Sequence, residues 1–410
     1  MKTVASQTIA DTVRDVVKHA AVTDIHTHLY DPAMGPLLLW GLDELLTYHY
    51  LVAELFRARP DLDYDAFWAL PKTRQADLVW DELFVRRSPV SEACRGVLTA
   101  LDQLGLGPAP GELAKLRAWF AGQNMREHTD TVLRLANIRC LYMTNDPLDP
   151  QEGPVWQGGC ARDPRFRAVL RLDSALMGWP APAARLDALG YSVDSALTGR
   201  TIRELRRYLA DWCRRLEARY LAISLPPAFR YPDAGSPTST LLVKAAIPAA
   251  REHGIPIALM IGAQRAVNPA LRLAGDSAGP ADIATLEALC AEFGDVRFLV
   301  TLLARENSHA LCVTARKFKN LLPFGCWWFL NIPSLVTEIT RMRVELLGLT
   351  FVPQHSDARV LEQLLYKWSH SRGLIAAVLA EKYTDVAATG WPVTRAEIER
   401  DVRRLLDREL

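Results

Sequence analysis

Short apolar runs rich in β-branched residues recur along the chain at 21–26, 138–144, 166–172, 220–225, 255–262, 296–302, 322–327 and 349–355. Several are apolar without strict alternation, the pattern of parallel strands covered on both faces. Between the later runs, stretches at 201–218, 240–252, 281–293, 307–319 and 334–347 carry apolar residues at three and four spacing, which predicts amphipathic helices laid on a sheet. Strand followed by helix, repeated through eight units, predicts an α/β fold closing as a (β/α)8 TIM-type barrel. An open doubly wound sheet is the competitor, but it usually has fewer strands, and no GxGxxG follows the first run.

The first and second runs stand about 110 residues apart, far more than one crossover helix needs. A mostly helical insertion is therefore expected over 30–136, between strands one and two. Leaving the barrel after a strand, it would emerge at the C-terminal face and cover the mouth, where such barrels assemble their sites. The barrel domain is then 1–29 together with 137–410, and 365–408 reads as closing helix and tail.

Half of the 410 residues are hydrophobic, ample for a large core. With 48 basic against 47 acidic residues the net charge is +1, so neither nucleic acid nor an anionic membrane is expected as a partner. Seven cysteines at 94, 140, 160, 213, 290, 312 and 326 form no CxxC pair and leave an odd count, which argues against a disulfide framework or a thiolate zinc site. Charges at Lys2, Asp11, Arg14, Asp15 and Lys18 speak against a secretory leader, and the apolar segment 321–330 is about half of the roughly 18 residues a membrane span requires. The expected setting is the cytoplasm; a homo-oligomer is left open.

The strongest local chemistry is Asp24-Ile25-His26-Thr27-His28, closing the first strand. Strand alternation puts residues 24, 26 and 28 on one face, so both imidazoles can converge on one ion at the barrel mouth. Nine histidines in 410 residues supply about 0.2 such pairs by chance, so it is the strand-end position that gives this one weight. A third ligand should come from a neighbouring strand end, and Asp357, just past the eighth run and beside the first once the barrel shuts, supplies a carboxylate. Asp357 also suits the N-cap of a following helix. His355 is open between a site residue and a packed polar one.

Taken in order, Asp24-x-His26-x-His28, Tyr48-His49-Tyr50, Met143-Thr144-Asn145-Asp146-Pro147, Arg171-Leu172-Asp173, Ile261-Gly262-Ala263-Gln264-Arg265, Phe324-Gly325-Cys326-Trp327-Trp328-Phe329 and Asp357-Ala358-Arg359 resemble the uronate isomerase (glucuronate isomerase) family of the amidohydrolase superfamily. The resemblance runs over most of the length. It implies interconversion of an aldohexuronate, D-glucuronate or D-galacturonate, with its ketohexuronate, a small-molecule sugar acid being the partner. It also implies a divalent metal held by His26, His28 and Asp357, with zinc first and manganese, cobalt or iron open. Asp357, His49 and Tyr50 become the catalytic candidates, and Arg171, Asp173, Trp327 and Arg359 the substrate-binding ones.

Each candidate has a plainer reading. His49 and Tyr50 lie in an apolar helical stretch where core aromatics are ordinary. Arg171 and Asp173 can form an internal ion pair, and the adjacent Trp327 and Trp328 should face opposite ways, one to core and one to mouth. Two departures mark a divergent member: Met260 stands where the family has a histidine before Ile-Gly-Ala, and the fourth-strand segment 222–227 carries little polar chemistry. A mononuclear metal-dependent hydrolase and a non-catalytic sugar-acid-binding paralogue are the alternatives.

Overall fold

The structure is a computed structural model and describes residues 6–409. Seven parallel strands pair in chain order: β1 Val22–Thr27, β2 Ile138–Asn145, β3 Phe166–Arg171, β4 Leu221–Leu225, β5 Ile257–Ile261, β6 Phe298–Leu302 and β7 Leu321–Pro323. The eighth run is not a continuous strand. Val352 pairs singly with Phe324 beyond β7, while Asp357 N donates to His26 O at 3.1 Å and His28 N to Ala358 O at 2.7 Å on the β1 side. Pro353 has no N–H to offer a ladder, and side chains take over: Gln354 Oε1 accepts from Cys326 N at 2.8 Å and Asp24 Oδ1 from Ser356 N at 3.0 Å.

Strand alternation sorts the core into two shells. Tyr142, Val169, Ala222, Ala258, Leu299 and Phe324 point inward and pack together. Their neighbours Leu141, Leu170, Ile223, Leu259, Val300 and Leu321 point outward against the helices. The helix expected at 201–218 is Gly199–Leu216, capped by the Thr198 side chain on Thr201 N. The one expected at 240–252 runs as three consecutive pieces, Pro237–Leu241, Leu242–Ala246 and Ile247–His253, the middle one a wider π turn just ahead of Pro248. Proline cannot donate to the carbonyl four residues back, and the wider turn absorbs that loss.

Between β1 and β2 lie seven α-helices, from Leu42–Leu46 to Met125–Leu135. Most share an apolar cluster of their own, built on Leu46, Leu51, Leu55, Phe67, Trp80 and Leu101. Leu271 and Ala274 of the segment after β5 pack onto that cluster, and Trp68 Nε1 donates to Ala270 O at 2.8 Å. The last of the seven helices instead buries Val132 and Leu133 in the larger core around the parallel sheet. After the eighth run, the long helix Gln363–Ala388 packs against the helices Ser6–His19 and Pro333–Leu347 and buries Leu364, Leu365 and Trp368 in the same core. Among the described residues no helix is long and apolar enough to cross a membrane.

Candidate active site

The C-terminal ends of the strands open into a narrow pocket lined by His26, His28, His49, Arg171, Ser224, Met260, Arg265, Trp327, Trp328, Asp357 and Arg359. Its floor is the His/His/Asp group. His26 Nε2 and His28 Nε2 lie 3.6 and 3.3 Å from Asp357 Oδ1, and one ligand atom from each residue falls within 4.8 Å of the others. His26 Nε2 and Asp357 Oδ1 are buried without a hydrogen-bond partner. Buried polar atoms left bare and aimed at one another are the donor set a divalent ion takes, so the residues present fit a metal.

Both imidazoles are kept neutral, as a metal ligand must be. Burial, reinforced by His28, pushes His26 down to about 3. His28 is held well below the usual histidine range by burial and then by the guanidinium groups of Arg359, Arg171 and Arg265. The backbone at Asp357 takes φ 51°, a left-handed conformation uncommon outside glycine, and so swings the carboxylate over the histidine pair.

Alternation does not hold along β1. The register shifts between Asp24 and Thr27, so Ile25 packs on the inner face of the sheet and His26 still lines the pocket. Asp24 turns the other way, taking Ser356 N on Oδ1 and Trp368 Nε1 on Oδ2 at 2.8 Å. The expectation that residue 24 shares a face with 26 and 28 is therefore corrected; an irregularity of the bulge kind resets the two-residue period. Trp327 and Trp328 likewise do not face opposite ways. Trp328 has φ 48° at the start of a 3-10 turn, and both rings line the pocket.

Arg171, at the end of β3, donates to Asp173 Oδ2 at 2.8 Å, and Asp173 Oδ1 accepts from Ser224 N at 2.9 Å. Asp173 thus sits behind Arg171 and ties it to β4, whose polar contribution to the pocket is Ser224. Burial opposes the charge on Arg171, but Asp173 outweighs it and keeps the guanidinium firmly protonated. Arg359 lines the pocket with no ion-pair partner among the described residues. His49, on the helix His49–Ala58, enters the pocket, and burial followed by the field of Arg359 pushes it down to about 3. Tyr50 is not in the lining; its ring packs edge-on to His49 at 4.4 Å and its buried hydroxyl has no partner.

His355 is fully buried and absent from the lining, its ring 5.2 Å from that of His26 and both of its ring nitrogens without a hydrogen-bond partner. Met260 faces the pocket from β5 and offers only a thioether, so β5 adds no hard ligand. Arg265 was not singled out by the sequence, although it ends one of the quoted motifs. It arrives on a short antiparallel ladder, Ala263–Gln264 with Ser277–Ala278, paired to Asp276 and stacked over Trp328 at 5.5 Å. Arginine at that spacing beyond a strand end was the available signal; the ladder that carries it back over the mouth was not visible.

The chain matches no protein-family model and no curated protein. Among solved structures it is similar to a uronate isomerase from Bacillus halodurans C-125, at 50% identity and a TM-score of 0.97, with 100% of this chain and 96% of that chain covered. A glucuronate isomerase from Caulobacter crescentus (TM-score 0.78, 15% identity, 98% of this chain and 92% of that one) shares the fold. So does a uronate isomerase from Thermotoga maritima (TM-score 0.76, 16% identity, 97% and 95% covered). A half-identical match over its whole length, on a backbone that superposes throughout, places this chain in the uronate isomerase family.

Proposed function

We propose that the protein interconverts an aldohexuronate, D-glucuronate or D-galacturonate, with the corresponding ketohexuronate by moving a proton between C2 and C1 through an enediol. The observation that carries this reading is the convergence of three guanidinium groups, Arg171, Arg265 and Arg359, on the His26, His28 and Asp357 cluster in one pocket. A site that binds a carbonyl and a carboxylate together needs both features.

The sugar carboxylate is assigned to Arg171, whose orientation is held by Asp173. Asp357 removes the C2 hydrogen as a proton, its electron pair forms the C1=C2 bond, and the C1 oxygen takes up a proton. Return of a proton to C1 while the C2 hydroxyl gives one up completes the ketose, with no water consumed. His49 and Tyr50 serve the hydroxyl protons, His49 from the pocket wall and Tyr50 from the layer behind it. His26, His28 and Asp357 would hold a divalent ion, zinc first, which when bound would supply Lewis-acid polarisation of the carbonyl oxygen. In the same reading the eight units close as one barrel, and segment 30–136 is a helical domain over the mouth that delivers His49. Seven free cysteines support a reducing cytoplasm, and the proposed reaction itself gives the protein its place in hexuronate catabolism.

A hydrolase would need water and, in dinuclear form, further ligands that β4, β5 and β6 do not supply. The test is a panel of hexuronates and matching neutral sugars assayed for ketose formation with and without a chelator. Ketose from a hexuronate, lost on chelation and restored by a divalent ion, is the expected result; release of a new acid with water uptake instead would overturn it.

A further inference from the structure

Two buried hydroxyls stand behind the histidine pair. Tyr220, immediately before β4 and fully inside the barrel, donates its hydroxyl hydrogen to Ile25 O at 2.7 Å, and the same oxygen lies 3.2 Å from His26 Nδ1. Thr144, on β2, donates to Thr27 O, and its oxygen lies 3.5 Å from His28 Nδ1. A hydroxyl carries one hydrogen. With that hydrogen committed to a β1 carbonyl, each oxygen can only accept from the neighbouring imidazole.

We infer that Tyr220, seconded by Thr144, is a positioning residue that fixes both histidines as the Nδ1–H tautomer, so that both Nε2 lone pairs face Asp357. The hydroxyls and the β1 carbonyls form two copies of one device, a carbonyl of residue n−1 locking the hydroxyl that locks the ring of residue n, for n of 26 and 28. Ring orientation and tautomer are then set before any ion arrives. The Nε2 atoms are the ones that approach Asp357 Oδ1, at 3.6 and 3.3 Å, and lone pairs facing a carboxylate repel until a cation sits among them. The inference rests on the metal-site reading given above and adds the residues that prepare it.

The experiment uses the full chain labelled with 15N in histidine, stripped of metal and held at pH 8, with tautomers read from ring nitrogen shifts and zinc affinity from chelator competition. Wild type should show His26 and His28 as Nδ1–H. Tyr220→Phe should give His26 as a tautomer mixture and weaken zinc about 10–100-fold. Thr144→Val should do the same at His28 to a smaller extent. Tyr142→Phe, in the same barrel interior with its ring 6.2 Å from that of Tyr220, should change neither readout. His26 found as Nε2–H in wild type, a result that needs no variant to fold, overturns the inference. So does Tyr220→Phe with unchanged tautomer and affinity. Wild type that binds no zinc overturns the metal reading, and the tautomer signals of the same sample still decide the role of the hydroxyls.

Discussion

Asp357 combines an uncommon backbone conformation with a bare carboxylate oxygen between two imidazoles, and a left-handed residue costs about 1–2 kcal/mol. The bond from its own N–H to His26 O and the Ser356 N bond to Asp24 hold it there. Asp357→Asn keeps the size and the φ tolerance but removes the charge, so turnover should fall about 10²–10⁴-fold with an unchanged circular dichroism spectrum. Retained turnover would take Asp357 out of the base and ligand roles. Arg171→Met should raise KM for a uronate about 10–100-fold, as expected for a charged hydrogen bond of about 1.5–3 kcal/mol, and leave KM for the neutral aldose nearly unchanged. An equal rise for both sugars would show that Arg171 does not read the carboxylate. At this scale His26, His28 and Asp357 were legible from their places at the ends of apolar runs, while Arg171 and Arg359 entered through the family resemblance. Asp24 and Trp328 were misread because single backbone dihedrals broke the alternation that the reading used.

Among the elements, the turn after β7 is the most constrained. Gly325 has φ 64°, and a Cβ built there would lie 1.7 Å from His355 Nδ1, a ring atom with no room to retreat because His355 is fully buried under His26. Gly325→Ala should therefore lose at least the ~1–2 kcal/mol of left-handed strain, plus the cost of displacing the ring. Denaturant unfolding should show a lower midpoint, and zinc affinity should fall with it as His26 loses its backing; an unchanged midpoint would show the turn to be soft. The short β7 and the missing eighth strand have the same origin. Past Pro323 the chain trades ladder bonds for side-chain bonds from Gln354 and Asp24, an exchange that apolar periodicity does not report.

Across the whole molecule, several imidazoles are buried without charge, and folding must keep them so. His49 is pushed from the ordinary 6.5 to about 3. Below pH 6.5 the unfolded chain binds a proton at this residue that the folded chain refuses, so its contribution to stability is full above pH 6.5 and is lost as pH falls toward 3. The metal-free protein should show a falling denaturant midpoint from pH 7.5 to pH 5, with a shallower slope in His49→Gln; parallel slopes would remove His49 from the account. An ion bound by the folded state alone adds stability by mass action, about 2.7 kcal/mol at a hundred times its Kd. Zinc should accordingly raise Tm in wild type and not in Asp357→Asn.

The order of strands and helices, the strand-end histidine pair and the distant carboxylate that joins it were written in local periodicity, because covered parallel strands and amphipathic helices demand apolar residues at fixed intervals. Tertiary structure alone decided which way Asp24 and Trp328 turned, how Arg265 reached the pocket and which hydroxyls stand behind His26 and His28. Those outcomes depend on single φ angles, on register between strands and on contacts across 116 and 194 residues of chain, none of which leaves a period in the sequence.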